Sequence, residues 1–274
     1  MSRVALFVHR GRPEAGALGA AVEAWLAERG HTVTEADGNG VADLVLAIGG
    51  DGTMLQAARR AASADAHVLG INLGQLGYLA EVEPAAWADA LDAYFAGRYA
   101  VAERQLVAAT VTGGTSPDGA PLGDEPLDPA LNEVVVEKQA MGRTVRLGVS
   151  IDGEHFTSYV ADGLILATPT GSTAYSLSAR GPIVAPTHRA LLLTPVSPHS
   201  LFDRSLVLEP TSTVTIEVLG DRSATVALDG EHAALLPPGA RVSVTAAPRP
   251  ARFVTFGGRD FHHILKAKFG LSDR

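Results

Sequence analysis

The chain has 274 residues, 46% of them hydrophobic and 19% charged, with a formal net charge of -8 and no cysteine. That composition belongs to one large or two ordinary globular domains with a buried core, not to a disordered chain. The negative balance excludes broad electrostatic binding to nucleic acid or to an anionic membrane, though not a locally positive pocket, and the lack of cysteine excludes disulfides and thiolate metal sites.

The first hundred residues alternate strand-like and helix-like segments. Val4–Val8 is a short apolar run that reads as a buried strand, and residues 14–29 repeat Ala, Leu and Trp at helical spacing before a capping Gly30. A short strand at Val33–Glu35 precedes another at Asp43–Ile48, which runs into Gly49-Gly50-Asp51-Gly52 and a helix over Thr53–Ala62. Val68–Asn72 and Pro84–Phe95 repeat the strand–helix unit. Such alternation with short links predicts a mostly parallel sheet with helices on its faces. The N-terminal apolar run is too short for a signal peptide and no stretch approaches the ~18 apolar residues of a membrane helix, so a cytoplasmic protein is expected.

After about Tyr99 helical periodicity disappears. Short runs at 103–112, 133–138, 143–151, 163–168, 213–219, 225–229 and 241–246 take over, and many alternate apolar and polar residues, as half-buried antiparallel strands do. This half reads as a β-sandwich. The Gly-, Pro- and Asp-rich stretch 113–129 reads as a mobile surface loop, and Asp260–Phe269 as an amphipathic helix.

Three segments carry chemistry. In Gly49-Gly-Asp-Gly-Thr53 an acid stands in a glycine turn at the carboxyl end of a strand, where α/β sheets bind ligands and where turn amides and a helix N-terminus favour phosphate. A carboxylate repels phosphates, so Asp51 either holds a magnesium ion, accepts a proton from an attacking hydroxyl, or simply caps the helix. Asn72-Leu-Gly-Gln-Leu-Gly-Tyr78 follows the next strand and offers Tyr78 as a flat surface. In Asp162-Gly…Thr168-Pro-Thr-Gly-Ser-Thr-Ala-Tyr-Ser-Leu-Ser178, six of the last nine residues carry hydroxyls. A helix-capping turn accounts for one or two of them, and the full run suits a polar, sugar-bearing or phosphorylated ligand. No P-loop, dinucleotide GxGxxG, HExxH or GxSxG pattern is present, and the nine histidines show no metal-ligand spacing.

Together with Asn132-Glu133, Pro195-Val-Ser-Pro-His-Ser200 and Asp229-Gly230, these segments resemble the NAD kinase family, in that family's order and over nearly the whole chain. The resemblance implies an N-terminal α/β domain over 1–99 with 252–274, the tail returning to it, and a β-rich dinucleotide-binding domain over 100–251. It implies phosphorylation of the adenosine ribose 2′-hydroxyl of NAD by ATP or polyphosphate, magnesium or another divalent cation accompanying ATP, and a homodimer or homotetramer. By position, Asp51 would be the proton acceptor, with Gly52 and Tyr78 beside it. Asn132 and Glu133 would bond the adenosine portion, and Asp162 would meet the nicotinamide end. Thr170 and the run Thr173, Ala174, Tyr175, Ser176, Leu177 and Ser178 would line the dinucleotide, with Tyr175 stacked on a base and Arg143 a basic ligand contact. Arg180 stands where a glycine is common in the family. The alternatives are a lipid or sugar kinase sharing the Gly-Gly-Asp-Gly turn, and a dinucleotide sensor without catalysis.

Overall fold

The computed structural model describes residues 1–35, 42–74, 77–124, 126–257 and 260–271, and the chain divides into two compact units, Met1–Arg104 with Arg249–Arg274 and Gln105–Pro248. The first unit opens with strand β1 (Arg3–Val8) and helix α1 (Pro13–Glu28), whose Pro13 suits the first helical turn because its missing N–H would have no partner there. Strands β2 (Thr32–Glu35) and β3 (Leu44–Gly49) follow, then α2 (Asp51–Ala64), β4 (His67–Asn72), α3 (Trp87–Phe95) and β5 (Ala100–Arg104). All six residues of β3 are buried, as a strand covered on both faces requires.

The second unit is antiparallel throughout. Its strands are β6 (Val107–Thr112), β7 (Glu133–Lys138), β8 (Val145–Ile151), β9 (Glu154–Ala161) and β10 (Gly163–Ala167). After the one-turn helix α4 (Tyr175–Ser178) come β11 (Leu191–Val196), β12 (Leu206–Leu208), β13 (Val214–Leu219), β14 (Ala224–Leu228), β15 (Glu231–Leu236) and β16 (Arg241–Ala246). They form a six-stranded sheet in the order β12-β11-β10-β7-β14-β15 and a five-stranded sheet in the order β6-β16-β13-β8-β9. Alternate residues of both, among them Val134, Leu164 and Val226 from the first and Leu147, Ile216 and Val242 from the second, close one core. The opposite face of the six-stranded sheet is also buried: Val135, Ile165 and Leu192 pack with Ala179 and Val184 from the segment after α4.

The stretch after β6 departs from the expected mobile loop. Thr115 and Leu235 exchange backbone hydrogen bonds of 3.0 and 2.8 Å, and the Leu127 amide donates to the Ala109 carbonyl at 2.8 Å. Leu122 and Leu127 pack against the core. Two leucines among the glycines and prolines give the segment apolar surface to bury, which a solvated loop lacks. Glu125 lies outside the described residues.

The chain then returns to the first unit as β17 (Ala251–Thr255) and helix α5 (Phe261–Phe269). β17 pairs parallel with β4 and antiparallel with β5, completing the order β2-β1-β3-β4-β17-β5. Helix α2 has no basic residue in its last turn. The returning segment supplies that charge: Arg249, just before β17, donates to the Ser63 carbonyl at 3.2 Å, and Arg252 bonds both the Asp65 carbonyl and its carboxylate. No described helix is long and apolar enough to cross a membrane.

Candidate active site

In the first unit the parallel pairings β1/β3 and β3/β4 align Val8 with Ile48 and Gly49 with Asn72, so three loops leave the sheet side by side at its carboxyl edge. Asp51 lies in the central loop, and it does not cap α2. Gly50 is the N-cap, without any side-chain bond, and Asp51 is the first helical residue. Its carboxylate instead reaches the loop after β4, where Oδ2 accepts the Tyr78 amide at 3.0 Å and Oδ1 the Leu79 amide at 3.2 Å. The helix-cap reading is therefore corrected: Asp51 stands one residue inside the helix, and its carboxylate is bonded to amides 27 and 28 residues away.

The glycines around Asp51 differ in purpose. A Cβ on Gly77 would collide with the Asp51 carboxylate, its Cγ 2.9 Å away, so this glycine permits the close approach. A Cβ on Gly49 would lie 2.8 Å from that of Thr53. Gly50 and Gly52 would meet nothing within 4 Å, so their backbone is open to a ligand. Burial first, and then the Asp51 charge, raise the Tyr78 hydroxyl above its ordinary pKa. Gln75 and Leu76 of the same motif lie outside the described residues.

In the second unit the hydroxyl-rich turn is fastened to the start of β7. The Thr168 amide donates to the Asn132 carbonyl at 2.8 Å and its hydroxyl to the Leu131 carbonyl at 2.6 Å. The other side of that segment is held by Asp229, whose carboxylate accepts the amides of Leu131, Asn132 and Glu133 at 2.8, 2.7 and 3.2 Å. Asp229 (φ 49°) and Gly230 (φ 82°) are the two left-handed residues of the β14–β15 hairpin turn.

Several hydroxyls expected to meet a ligand are engaged within the turn. Ser172 bonds both the amide and the carbonyl of Val184, Thr173 bonds the Thr170 carbonyl, and fully buried Ser176 joins a chain through Thr194 to Ser205. The reading that a capping turn explains only one or two of them is thus corrected: a tight irregular turn over a buried sheet must satisfy its own backbone, and hydroxyls do so locally. The Thr170 hydroxyl is buried with no partner among the described residues, Ala174 and Leu177 are half-buried, and Tyr175 and Ser178 are exposed. Arg180 has a left-handed backbone (φ 67°), the conformation in which a glycine is the unstrained choice.

Tyr175 is 38% exposed, and partial burial first, then the charges of Glu137, Asp162 and Glu133, raise its hydroxyl above the ordinary tyrosine pKa. Asp162 pairs with Lys138 at 2.6 Å. Lys138 also lines a cavity of about 120 Å³ with exposed Arg143 and with Arg222, whose guanidinium donates to the Thr144 carbonyl at 2.8 Å. Lys138 and Arg12 are not singled out by motif. A basic His9-Arg10-Gly11-Arg12 turn directly after a parallel strand was the available signal for the last of these.

Glu133 is 5% exposed, and one of its carboxyl oxygens has no partner among the described residues. Burial above all, with the Asp229 charge, pushes its pKa up to about 8, against the Tyr175 amide that favours the ionised form. Unfolded, the group releases its proton near 4.5; folded, it holds the proton to about 8. Between these values the folded chain binds one more proton, so raising the pH lowers stability, by about 1.4 kcal/mol per pH unit. Glu133→Gln removes this dependence. The melting temperature of the variant relative to wild type is expected to climb by several degrees from pH 5 to pH 8, and a constant gap would mean that the carboxyl ionises normally.

Known proteins resemble this chain in sequence and in fold. The ATP-NAD kinase N-terminal domain family matches residues 22–99 and the ATP-NAD kinase C-terminal domain family residues 131–256. NAD kinase 1 of Streptomyces avermitilis is 39% identical, over all of this chain and 88% of its own. The NAD kinase of Syntrophotalea carbinolica is 32% identical over the whole of both. In fold, the chain resembles a yeast NADH kinase in complex with NADH, with a TM-score of 0.87 at 22% identity over all of this chain and 89% of the other. It also resembles an Archaeoglobus fulgidus NAD kinase in complex with ATP, with a TM-score of 0.70 at 22% identity over 98% and 97% of the two chains. With full-length relatives above 30% identity and both domain families matched in order, the chain belongs to the ATP-NAD kinase family of phosphotransferases.

Proposed function

We propose that this protein transfers the γ-phosphoryl group of ATP to the 2′-hydroxyl of the adenosine ribose of NAD, giving NADP and ADP, with Asp51 accepting the hydroxyl proton. The observation that carries the assignment is a carboxylate held by two backbone amides within a glycine turn whose neighbouring residues, Gly50 and Gly52, are open. Phosphoryl transfer needs positioning, charge neutralisation and a group to steer the nucleophile. The turn amides and the N-terminus of α2 offer donors to phosphate oxygens. Each Asp51 oxygen keeps an unused lone pair after accepting its amide, enough to take a proton from an attacking hydroxyl.

The site suits a divalent cation carried by the nucleotide better than one caged by protein. Among the described residues no group of three or more His, Asp or Glu could hold an ion alone, and magnesium commonly uses one or two carboxylates with substrate phosphates. Asp51 is the carboxylate available for that. When bound, the ion neutralises charge on the β- and γ-phosphates.

In the second unit, the dinucleotide-binding part of this proposal, Asn132 and Glu133 bond the adenosine. Glu133 can do so as a neutral carboxyl, donating a hydrogen bond at pH 7 because its pKa is near 8. Tyr175 stacks on a base, Asp162 meets the nicotinamide end, and Arg143 supplies a cation. The active species is proposed to be a homodimer or homotetramer. The test is NADP formation by purified protein supplied with NAD and magnesium plus either ATP or polyphosphate. NADP from ATP supports the reaction, and NADP from polyphosphate extends the donor range. NAD binding without NADP from either donor would instead leave a dinucleotide sensor.

A further inference from the structure

Two cations approach the Gly49–Gly52 turn, and neither lies in a motif that carries the family resemblance. Arg12, in the loop after β1, donates from one terminal nitrogen to the Leu73 carbonyl at 2.5 Å, while the Leu73 amide donates to the Gly49 carbonyl at 3.0 Å. A Cβ on Gly74 would lie 3.8 and 4.0 Å from its two terminal nitrogens, so the guanidinium runs along Leu73–Gly74. Lys268, in the last turn of α5, sits with its ammonium 4.3 Å from the centre of the Tyr78 ring. The Tyr78 amide is one of the two that hold Asp51. Each cation is thus one residue removed from the turn, Arg12 through Leu73 and Lys268 through Tyr78.

Among the described residues neither cation is ion-paired with a carboxylate, in a chain whose net charge is -8. A cation held at a phosphate-type turn without an acid to neutralise it is set to meet an anion. The Tyr78 face fixes where the flexible lysine stem delivers its charge, and the planar Arg12 fork keeps donors beyond those used on Leu73. A Cβ on Gly50 or Gly52 would meet nothing within 4 Å, so the turn itself has room for phosphates.

From this arrangement we propose that Arg12 and Lys268 bind the phosphate chain of the phosphoryl donor, so that the first loop and the last helix of the unit grip the donor on behalf of Asp51. The inference rests on the proposed reaction and on the Asp51 turn being its donor side. The ligand chemistry is a linear chain of phosphates, shared by ATP and inorganic polyphosphate.

The test compares wild type with Lys268→Gln, Lys268→Arg and Arg12→Gln in steady-state kinetics, with ATP and with tripolyphosphate as donor. Binding of an ATP analogue with a non-transferable γ-phosphate is measured in parallel without NAD. Lys268 is exposed, so Lys268→Gln should melt as wild type does. Its KM for ATP is expected to rise about tenfold, with the KM for NAD unchanged within twofold, and Lys268→Arg should recover most of the loss. The analogue should weaken by a similar factor, and so should tripolyphosphate wherever it serves as donor. A loss confined to ATP would move the contact from the phosphates to the nucleoside and overturn the proposal. Unchanged KM for ATP in both Gln variants, or an equal rise for NAD, would overturn it too. Failure of the wild type to make NADP from either donor would count against the reaction itself, and the binding measurement would then decide the cation pair alone.

Discussion

Asp51→Asn is expected to lower kcat by about 10²–10⁴-fold, the usual worth of a general base, while the KM for NAD stays within a few-fold of wild type. The substitution has a structural cost that can be measured separately. Asp51 accepts two amides with two oxygens, and an Asn can accept only one, turning its own N–H₂ toward either the Tyr78 or the Leu79 amide. One unmatched donor at a half-buried position costs about 1 kcal/mol, a fall of about 2–4 °C in melting temperature for a chain of this size. A loss of two to four orders of magnitude in turnover, beside so small a loss of stability, belongs to the chemistry and not to the loop. Turnover within tenfold of wild type would remove Asp51 from the proton path and leave it as the anchor of residues 77–79.

How the sequence reveals this site, and how it conceals it, both have physical reasons. Strand β3 followed by glycines is legible because a strand buried on both faces must be continuously apolar, and because a backbone that meets phosphate needs glycine. The destination of the Asp51 side chain is not legible. Its partners are backbone amides, which every residue possesses, so no side-chain pattern at 78 and 79 announces them. Strand β15 is hidden for a different reason: Asp229-Gly230 is a strong two-residue hairpin signal but also reads as a ligand motif, and the structure gives the pair the turn together with three amides of the β7 entrance. Strand β11 carries Pro195, which argues against a central strand. It is tolerated because β12 pairs only with Leu191–Leu193, leaving the proline beyond the end of that ladder. In the turn after β10 composition announces hydroxyls, but only packing separates those of Ser172, Thr173 and Ser176, bonded inward, from the exposed Tyr175 and Ser178.

That packing sets the second large effect, at Gly171. A Cβ there would strike the Asn132 carbonyl oxygen and lie 2.5 and 2.7 Å from the carbonyl carbon and Cα of the same residue. All three are backbone atoms, and they cannot yield. The Asn132 carbonyl accepts the Thr168 amide, and the Asn132 amide is held by Asp229, so the segment is fixed from both sides. In Gly171→Ala the turn itself has to move, by about an ångström, against the bonds of Thr168 and Ser172 that seat it. Overpacking of this kind costs about 1–3 kcal/mol, and an ångström of misplacement in a binding turn costs about 10²-fold in kcat/KM for NAD. Gly52→Ala is the contrast, since its Cβ would meet nothing and alanine favours a helix more than glycine does, so stability should hold or rise even where kinetics suffer. Denaturant unfolding of the two variants beside NAD kinetics separates a glycine needed for packing from one left open for a ligand. A Gly171→Ala protein as stable as wild type would mean that the turn rests loosely on residues 131–133 and that its shape is set elsewhere.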